Sequence, residues 1–205
     1  MKVRKTEPRQ GRPPNFTDPA GTITGAAALL SAARGYEGTS MQDVAEAVGM
    51  TKAGLYHYFP TKRAMFDSIV LSTLMELIEA SDAAVAAHQD HAEKLTAFMI
   101  AHADYLEQNW EKYRSSFLGW ARGDIAELNP DQLAARKAYT QRLEAILLAG
   151  RKAGVLDFPN APTLARGILG MLNWLARWYR PGGTESATAI AAGYARIVLG
   201  GIRRT

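Results

Sequence analysis

Five side chains between Thr51 and His57 have the types and spacing needed to read a nucleic-acid surface. Thr51, Lys52, Ala53, Tyr56 and His57 share one face of a seven-residue apolar-periodic segment, while Leu55 and Phe59 point the other way. A compact face that mixes hydroxyl, imidazole and ammonium donors with a small alanine suits the major groove, where base edges present both acceptors and methyl groups. Lys52, Ala53 and His57 are placed to specify sequence, and Tyr56 can reach a phosphate through its hydroxyl. Around them Thr39, Ser40 and Lys62 stand at helix starts, where backbone N–H groups and a charge favour phosphate. These are the candidate DNA contacts, together with Arg4, Lys5, Arg9 and Arg12 of the N-terminal arm.

Charge placement supports that arm. The chain has 205 residues and a formal net charge of +4. Residues 1–16 hold Lys2, Arg4, Lys5, Arg9 and Arg12 against Glu7, so the remainder sums to zero. A basic, proline-containing arm is the pattern of a flexible segment that meets a polyanion, although a solvated tail has the same composition.

Other chemistry is excluded or weak. With no cysteine there is no disulfide framework, thiolate site or cysteine nucleophile. His88 and His91 are three apart, yet no Glu-x-x-His, His-Glu-x-x-His or cysteine ligand accompanies them, so a solvated pair is expected rather than a metal site. No P-loop, Gly-x-Gly-x-x-Gly or Gly-x-Ser-x-Gly sequence occurs. Neither an enzyme nor a bound cofactor is expected. No apolar run approaches the length of a membrane span, and the N-terminus is polar, which suits a soluble cytoplasmic protein.

The elements that must position the reading face are all helical. Asp18-Pro19 starts a first helix that ends at Gly35, with Gly21 and Gly25 weakening its early turns. Ser40-Met41-Gln42-Asp43 has capping-box spacing, Gly49 stops that helix, and Thr51 caps the next. After Pro60-Thr61 a long helix runs from Lys62 into the eighties. Further helices are expected near 92–109, 111–127, 131–153, 161–179 and 185–202. The expected fold is therefore all-α: an N-terminal three-helix helix-turn-helix unit joined by a long helix to a larger C-terminal helical bundle. The divisions are a basic arm (1–16), a DNA-binding unit (17–62) and an effector-binding and dimerisation region (63–205).

Two features mark the bundle. Aromatics cluster in it, and the candidate ligand contacts are Phe98, His102, Tyr105, Tyr113, Phe117, Trp120, Met171, Trp174, Arg177 and Trp178. Such stripes are more often core than pocket, and Arg177 can pair with a ligand anion or close a helix C-terminus. Small and apolar residues near the end, namely Gly167, Gly170, Ile190, Gly193, Tyr194 and Ile197, suit close packing against a second copy. Packing within one chain is the alternative.

The run from Ser40 through Val44, Ala45, Gly49, Thr51, Leu55, Tyr56, Tyr58 and Phe59 to Lys62 resembles the DNA-binding signature of the TetR family of transcriptional regulators. Val48 and Met50 depart from it conservatively, where that family usually has alanine and valine. The resemblance implies an obligate homodimer, a palindromic double-stranded operator, an effector pocket in the C-terminal bundle, and repression rather than activation. Asn173-Trp174-Leu175-Ala176-Arg177-Trp178-Tyr179-Arg180-Pro181-Gly182-Gly183, with Ile197 to Ile202, resembles the TetR branch that controls lipid and steroid catabolism and responds to acyl-coenzyme A thioesters. The implied effector is a hydrophobic compound or a CoA thioester. A multidrug-type regulator sensing a neutral or cationic lipophilic compound is the alternative, and a helical adaptor that does not bind DNA is a more distant one.

Overall fold

A computed structural model describes residues 17–122 and 128–202, with side chains omitted at 118–122. Among the described residues every regular element is a helix. In order they are α1 (Pro19–Arg34), α2 (Met41–Ala47), α3 (Lys52–Tyr58), α4 (Lys62–Ala86), α5 (His91–Gln108), α6 (Trp110–Arg122), α7 (Pro130–Lys152), α8 (Ala161–Trp178) and α9 (Ala187–Ile202).

The N-terminal helices are held by their caps. The Asp18 carboxylate accepts from Gly21 N–H, the Thr51 hydroxyl from Gly54 N–H and the Thr61 hydroxyl from Ala64 N–H. Ser40 and Asp43 form a reciprocal capping box, whose hydrogen bonds hold the Asp43 carboxyl below its usual range. Against the expected weakening by Gly21 and Gly25, α1 is continuous from Pro19, because Asp18 closes its first turn. Between α2 and α3 the chain turns at Gly49 with φ +67°, a left-handed conformation that a side chain disfavours.

Seven-residue helices cannot stand alone, and their stability comes from one shared core. Ile23 and Ala27 of α1, Val44 and Val48 of the second helix region, Leu55 and Phe59 around α3, and Met65, Phe66 and Ile69 of α4 bury one another. The long helix α4 thus belongs to this core at its start and to a second, larger core further on, through Leu77 and Ile78. That second core joins α5, α6, α7, α8 and α9. A Cβ on Gly150 would lie 2.6 Å from Leu156 Cδ1, so any larger residue there would displace the buried Leu156 side chain where the chain turns back over the end of α7.

Polar ties fix the bundle's geometry. Asn129 and Gln132 form the capping box of α7, and the Gln132 side-chain amide also donates to the Asp67 backbone carbonyl at 3.0 Å. Arg142 Nε lies 3.0 and 2.9 Å from the two Asp82 carboxylate oxygens. Glu107 accepts from the Tyr179 hydroxyl and from Ala187 N–H, so one α5 carboxylate anchors the turn between α8 and α9 and helps to start α9. Finally, α6 packs on α1, α4, α5 and α8, touching both cores. No described helix is long and apolar enough to cross a membrane.

Candidate nucleic-acid interface and ligand cavity

The capped turn at Gly49 sets α3 against α2 with Leu55 inward in the core shared with α1, which leaves Thr51, Lys52, Ala53, Tyr56 and His57 exposed together. Lys52 Nζ sits 5.9 Å from the Tyr56 ring centre. Tyr58, also exposed, meets His57 edge-on with ring centres 5.4 Å apart. Lys62 stands over the Tyr36 ring at 4.1 Å and 3.8 Å from Glu37 Oε2, so an aromatic platform holds its ammonium at the edge of this face. Tyr36 is not legible in the sequence as part of the site, since only the fold brings it under Lys62. Ser40 is exposed, but its hydroxyl is engaged in the capping box.

Thr39 needs correction as a candidate contact. It is 1% exposed, its hydroxyl donates to the Gly35 carbonyl at 3.0 Å, and its N–H donates to Tyr36. Both donors serve the bend before α2, so nothing of the side chain remains for phosphate. Arg4, Lys5, Arg9 and Arg12 lie outside the described residues, as does the side chain of Trp120.

In the bundle a cavity of about 290 Å³ lies among α4, α6, α7 and α8. Leu74, Leu77, Phe117 and Leu169 give it apolar walls, and Thr73, Ser116, Tyr113, Tyr139 and Asn173 a polar strip. Arg136, Thr140 and Arg166 line both this cavity and an outer groove of about 500 Å³ that also includes Lys137 and Glu144. The two spaces therefore meet across a cationic threshold.

Of the expected ligand contacts with described side chains, only Tyr113 and Phe117 line this cavity. Phe98 is buried against Tyr139, ring centres 5.1 Å apart, Tyr105 is buried beside Glu76, and Met171 packs against the core. Trp174, Arg177 and Trp178 require correction. The inward stripe of α8 is Ala165, Ile168, Leu172, Leu175 and Ala176, and the helical period turns those three residues to the outside. Trp174 and Trp178 are 58% and 46% exposed, and the Arg177 guanidinium lies over the Trp174 ring at 5.8 Å. The cations lining the cavity are Arg136 and Arg166, from the first half of α7 and the first turns of α8. In sequence they read as ordinary charges of amphipathic helices.

His102 is fully buried and linked on both sides. Its Nδ1 and Nε2 lie 2.8 Å from the hydroxyls of Tyr139 and Tyr113. Tyr113 donates its proton to Asn173 Oδ1 at 2.7 Å, so its oxygen accepts from His102 Nε2–H. Nδ1 then accepts from Tyr139, whose oxygen faces the Ser81 hydroxyl at 3.3 Å. The chain Ser81, Tyr139, His102, Tyr113, Asn173 crosses α4, α7, α5, α6 and α8 in turn. Burial pushes the imidazole pKa down to about 3 and raises both tyrosines, so every member is neutral near pH 7. Beside it, Lys112 Nζ reaches Glu76 Oε1 at 2.6 Å and the Tyr105 hydroxyl donates to Glu76 Oε2 at 2.8 Å.

The expected dimer residues differ in exposure, and Gly170 also lines the cavity. Gly167, Gly170 and Ile197 are exposed, Ile197 at 70%, while Gly193 is partly covered and Ile190 and Tyr194 lean against the core. A Cβ on Gly167 or Gly170 would meet nothing within 4 Å, so packing within this chain does not call for either glycine.

Residues 23–69 match the family of bacterial regulatory proteins called tetR, and residues 88–202 match the tetracyclin repressor-like C-terminal domain. The HTH-type transcriptional repressor KstR2 of Rhodococcus jostii (strain RHA1) is 29% identical over 184 residues, 86% of this chain and 87% of that protein. Among solved structures, the TetR-family regulator PfmR from Thermus thermophilus is 36% identical with a TM-score of 0.79, covering 89% of this chain and 99% of its own. AibR, in complex with isovaleryl coenzyme A and operator DNA, is 29% identical with a TM-score of 0.77, covering 88% of this chain and 97% of its own.

Proposed function

Because this chain belongs to the TetR family of bacterial regulatory proteins, we propose that it is a homodimeric repressor whose hold on a palindromic operator is released by an acyl-CoA-type effector. The observation that carries the effector reading is the junction of the two spaces: an apolar cavity of about 290 Å³ opening across Arg136 and Arg166 into a groove that adds Lys137. A thioester has the matching shape, with a compact acyl group to bury and a phosphorylated tail to lie along cations. The solved complex of AibR with isovaleryl coenzyme A and operator DNA supports the same class. A lipophilic cation would meet the arginines at the threshold, which disfavours the multidrug alternative.

The DNA reading rests on α3. Lys52, Ala53 and His57 contact base edges, while Tyr56 and Lys62 hold phosphates, with the basic arm adding further cations. Lys52→Ala is expected to relax base preference in a random-site selection, whereas Tyr56→Phe lowers affinity severalfold at every site alike. A selection with full-length protein that returned no preferred sequence would end the regulator reading.

Communication runs through α6. Tyr113, Ser116 and Phe117 line the cavity, and the same helix packs on α1 of the DNA unit. The effector must prefer the arrangement that cannot span the operator, and a preference of about 3 kcal/mol weakens operator binding roughly a hundredfold. The test removes the threshold charges. Arg136→Gln with Arg166→Gln is expected to weaken binding of a short-chain acyl-CoA about tenfold or more and leave ligand-free operator affinity unchanged. Unaltered CoA affinity in that double variant, or release by a lipophilic cation alone, would remove the thioester reading.

A further inference from the structure

The cavity has one polar group whose hydrogen bonding is half used. Asn173 Oδ1 is occupied by the Tyr113 hydroxyl, and among the described residues its Nδ2 amide has no partner, although Asn173 lines the cavity. The other polar groups on the wall are already using their protons. Thr73 bonds Ile69 O at 2.8 Å and Ser116 bonds Lys112 O at 3.0 Å, with 2.8 Å between their hydroxyls. Tyr139 gives its proton to His102. The strip thus offers an incoming molecule one defined donor, the Asn173 amide, set among leucines and Phe117.

Its position is as informative as its type. Arg166 and Asn173 are seven residues apart on α8, two helical turns, or about 10 Å along the axis. With the thioester at the threshold and the phosphates farther out along the groove, the amide lies at about the depth of the seventh acyl carbon, inside the ligand's apolar part. We propose that Asn173 is a specificity-determining residue: its Nδ2 amide donates to an oxygen carried on the acyl group, remote from the thioester, so that an oxygenated acyl group is preferred to a saturated one. This deepens the acyl-thioester reading above and rests on it. Ser81, Tyr139, His102 and Tyr113 act as positioning residues, because their hydrogen-bond chain fixes which edge of the Asn173 amide faces Tyr113 and so which edge is presented to the ligand.

A saturated chain in this place removes water from the amide and returns nothing, which is worth about tenfold in affinity for one hydrogen bond. The experiment compares octanoyl-CoA with 7-oxo-octanoyl-CoA on the full-length protein by calorimetric titration, with operator displacement measured alongside. The oxo compound is expected to bind about tenfold more tightly. Asn173→Leu is expected to erase the difference by weakening the oxo compound alone, with octanoyl-CoA affinity retained. Asn173→Ala removes the N–H without adding a charge, so it too should lose the preference, and it serves if the leucine variant does not fold. Equal affinity of the two ligands for the unaltered protein, or equal weakening of both by the Asn173 variants, overturns the assignment and leaves the thioester reading standing. If neither CoA compound binds, both readings fall.

Discussion

Ile197→Glu is expected to convert the protein to monomers and to weaken operator binding at least a hundredfold. Ile197 projects from α9 with 70% of its surface exposed, one helical turn after Gly193, and the exposed side of α8 carries Gly167, Gly170, Trp174 and Trp178. Two such helix pairs meeting about a two-fold axis would bury the tryptophans and bring backbones close at the glycines. A carboxylate placed there must be desolvated twice, once per protomer, at several kcal/mol each without a partner cation. A monomer then holds one half-site and loses half its phosphate contacts, so the loss of operator affinity follows from the loss of the second copy rather than from any change at α3. Light scattering and an operator titration on the same preparation check both parts. A variant that remained dimeric would place the interface elsewhere, and a monomer that still bound the operator tightly would separate recognition from pairing.

Acid is expected to destabilise the bundle before most carboxylates titrate. His102 has a folded-state pKa near 3, against an ordinary value of 6.5, because it is buried without a counter-charge. Its depressed value means that the unfolded chain takes up a proton below pH 6.5 that the folded chain refuses. The stabilisation is complete above about pH 6.5 and is lost progressively as pH falls toward 3. The linkage amounts to about 2 kcal/mol at pH 5 and about 5 kcal/mol by pH 3, at about 1.4 kcal/mol per pH unit. Urea unfolding at pH 7 and pH 5 measures it, and His102→Gln should flatten the slope between those values whatever it costs at pH 7. A slope in the variant equal to that of the unaltered protein would show that His102 is not the group responsible.

The DNA unit is the most legible part of the sequence because its determinants are local. Caps at Asp18, Ser40 and Thr51, the turn at Gly49 and the inward residues Val44, Val48, Leu55 and Phe59 are all set within a few residues of one another. Thr39 escapes such reading because its donors are consumed by Gly35 and Tyr36 in a bend that periodicity does not describe. In the bundle the limit is different. The helical period of α8 puts Ala165, Ile168, Leu172, Leu175 and Ala176 on one apolar face, and grouping by aromatic type alone ignores that period and so takes Trp174, Arg177 and Trp178 as inward. His102 stands out by type, yet its partners lie 11 and 37 residues away, and only the fold converts a ligand candidate into a structural link. Asn173 is visible in sequence only as part of a family-like run, and its role depends on Tyr113.

The length of α4 has a mechanical consequence. Its 25 residues make a rod of about 37 Å, rooted among α5, α6 and α7 at one end and carrying the DNA unit's core at the other. A rotation of about 5° at the root carries the far end through about 3 Å, and symmetry doubles this to about 6 Å between the two reading helices of a dimer. Successive major grooves on one side of a duplex repeat about every 34 Å, and base contacts tolerate far less than about 6 Å of error. In the proposed dimer the two rods would act as a pair of callipers, a displacement inside the cavity smaller than one bond length being enlarged at the jaws until they no longer fit the gauge.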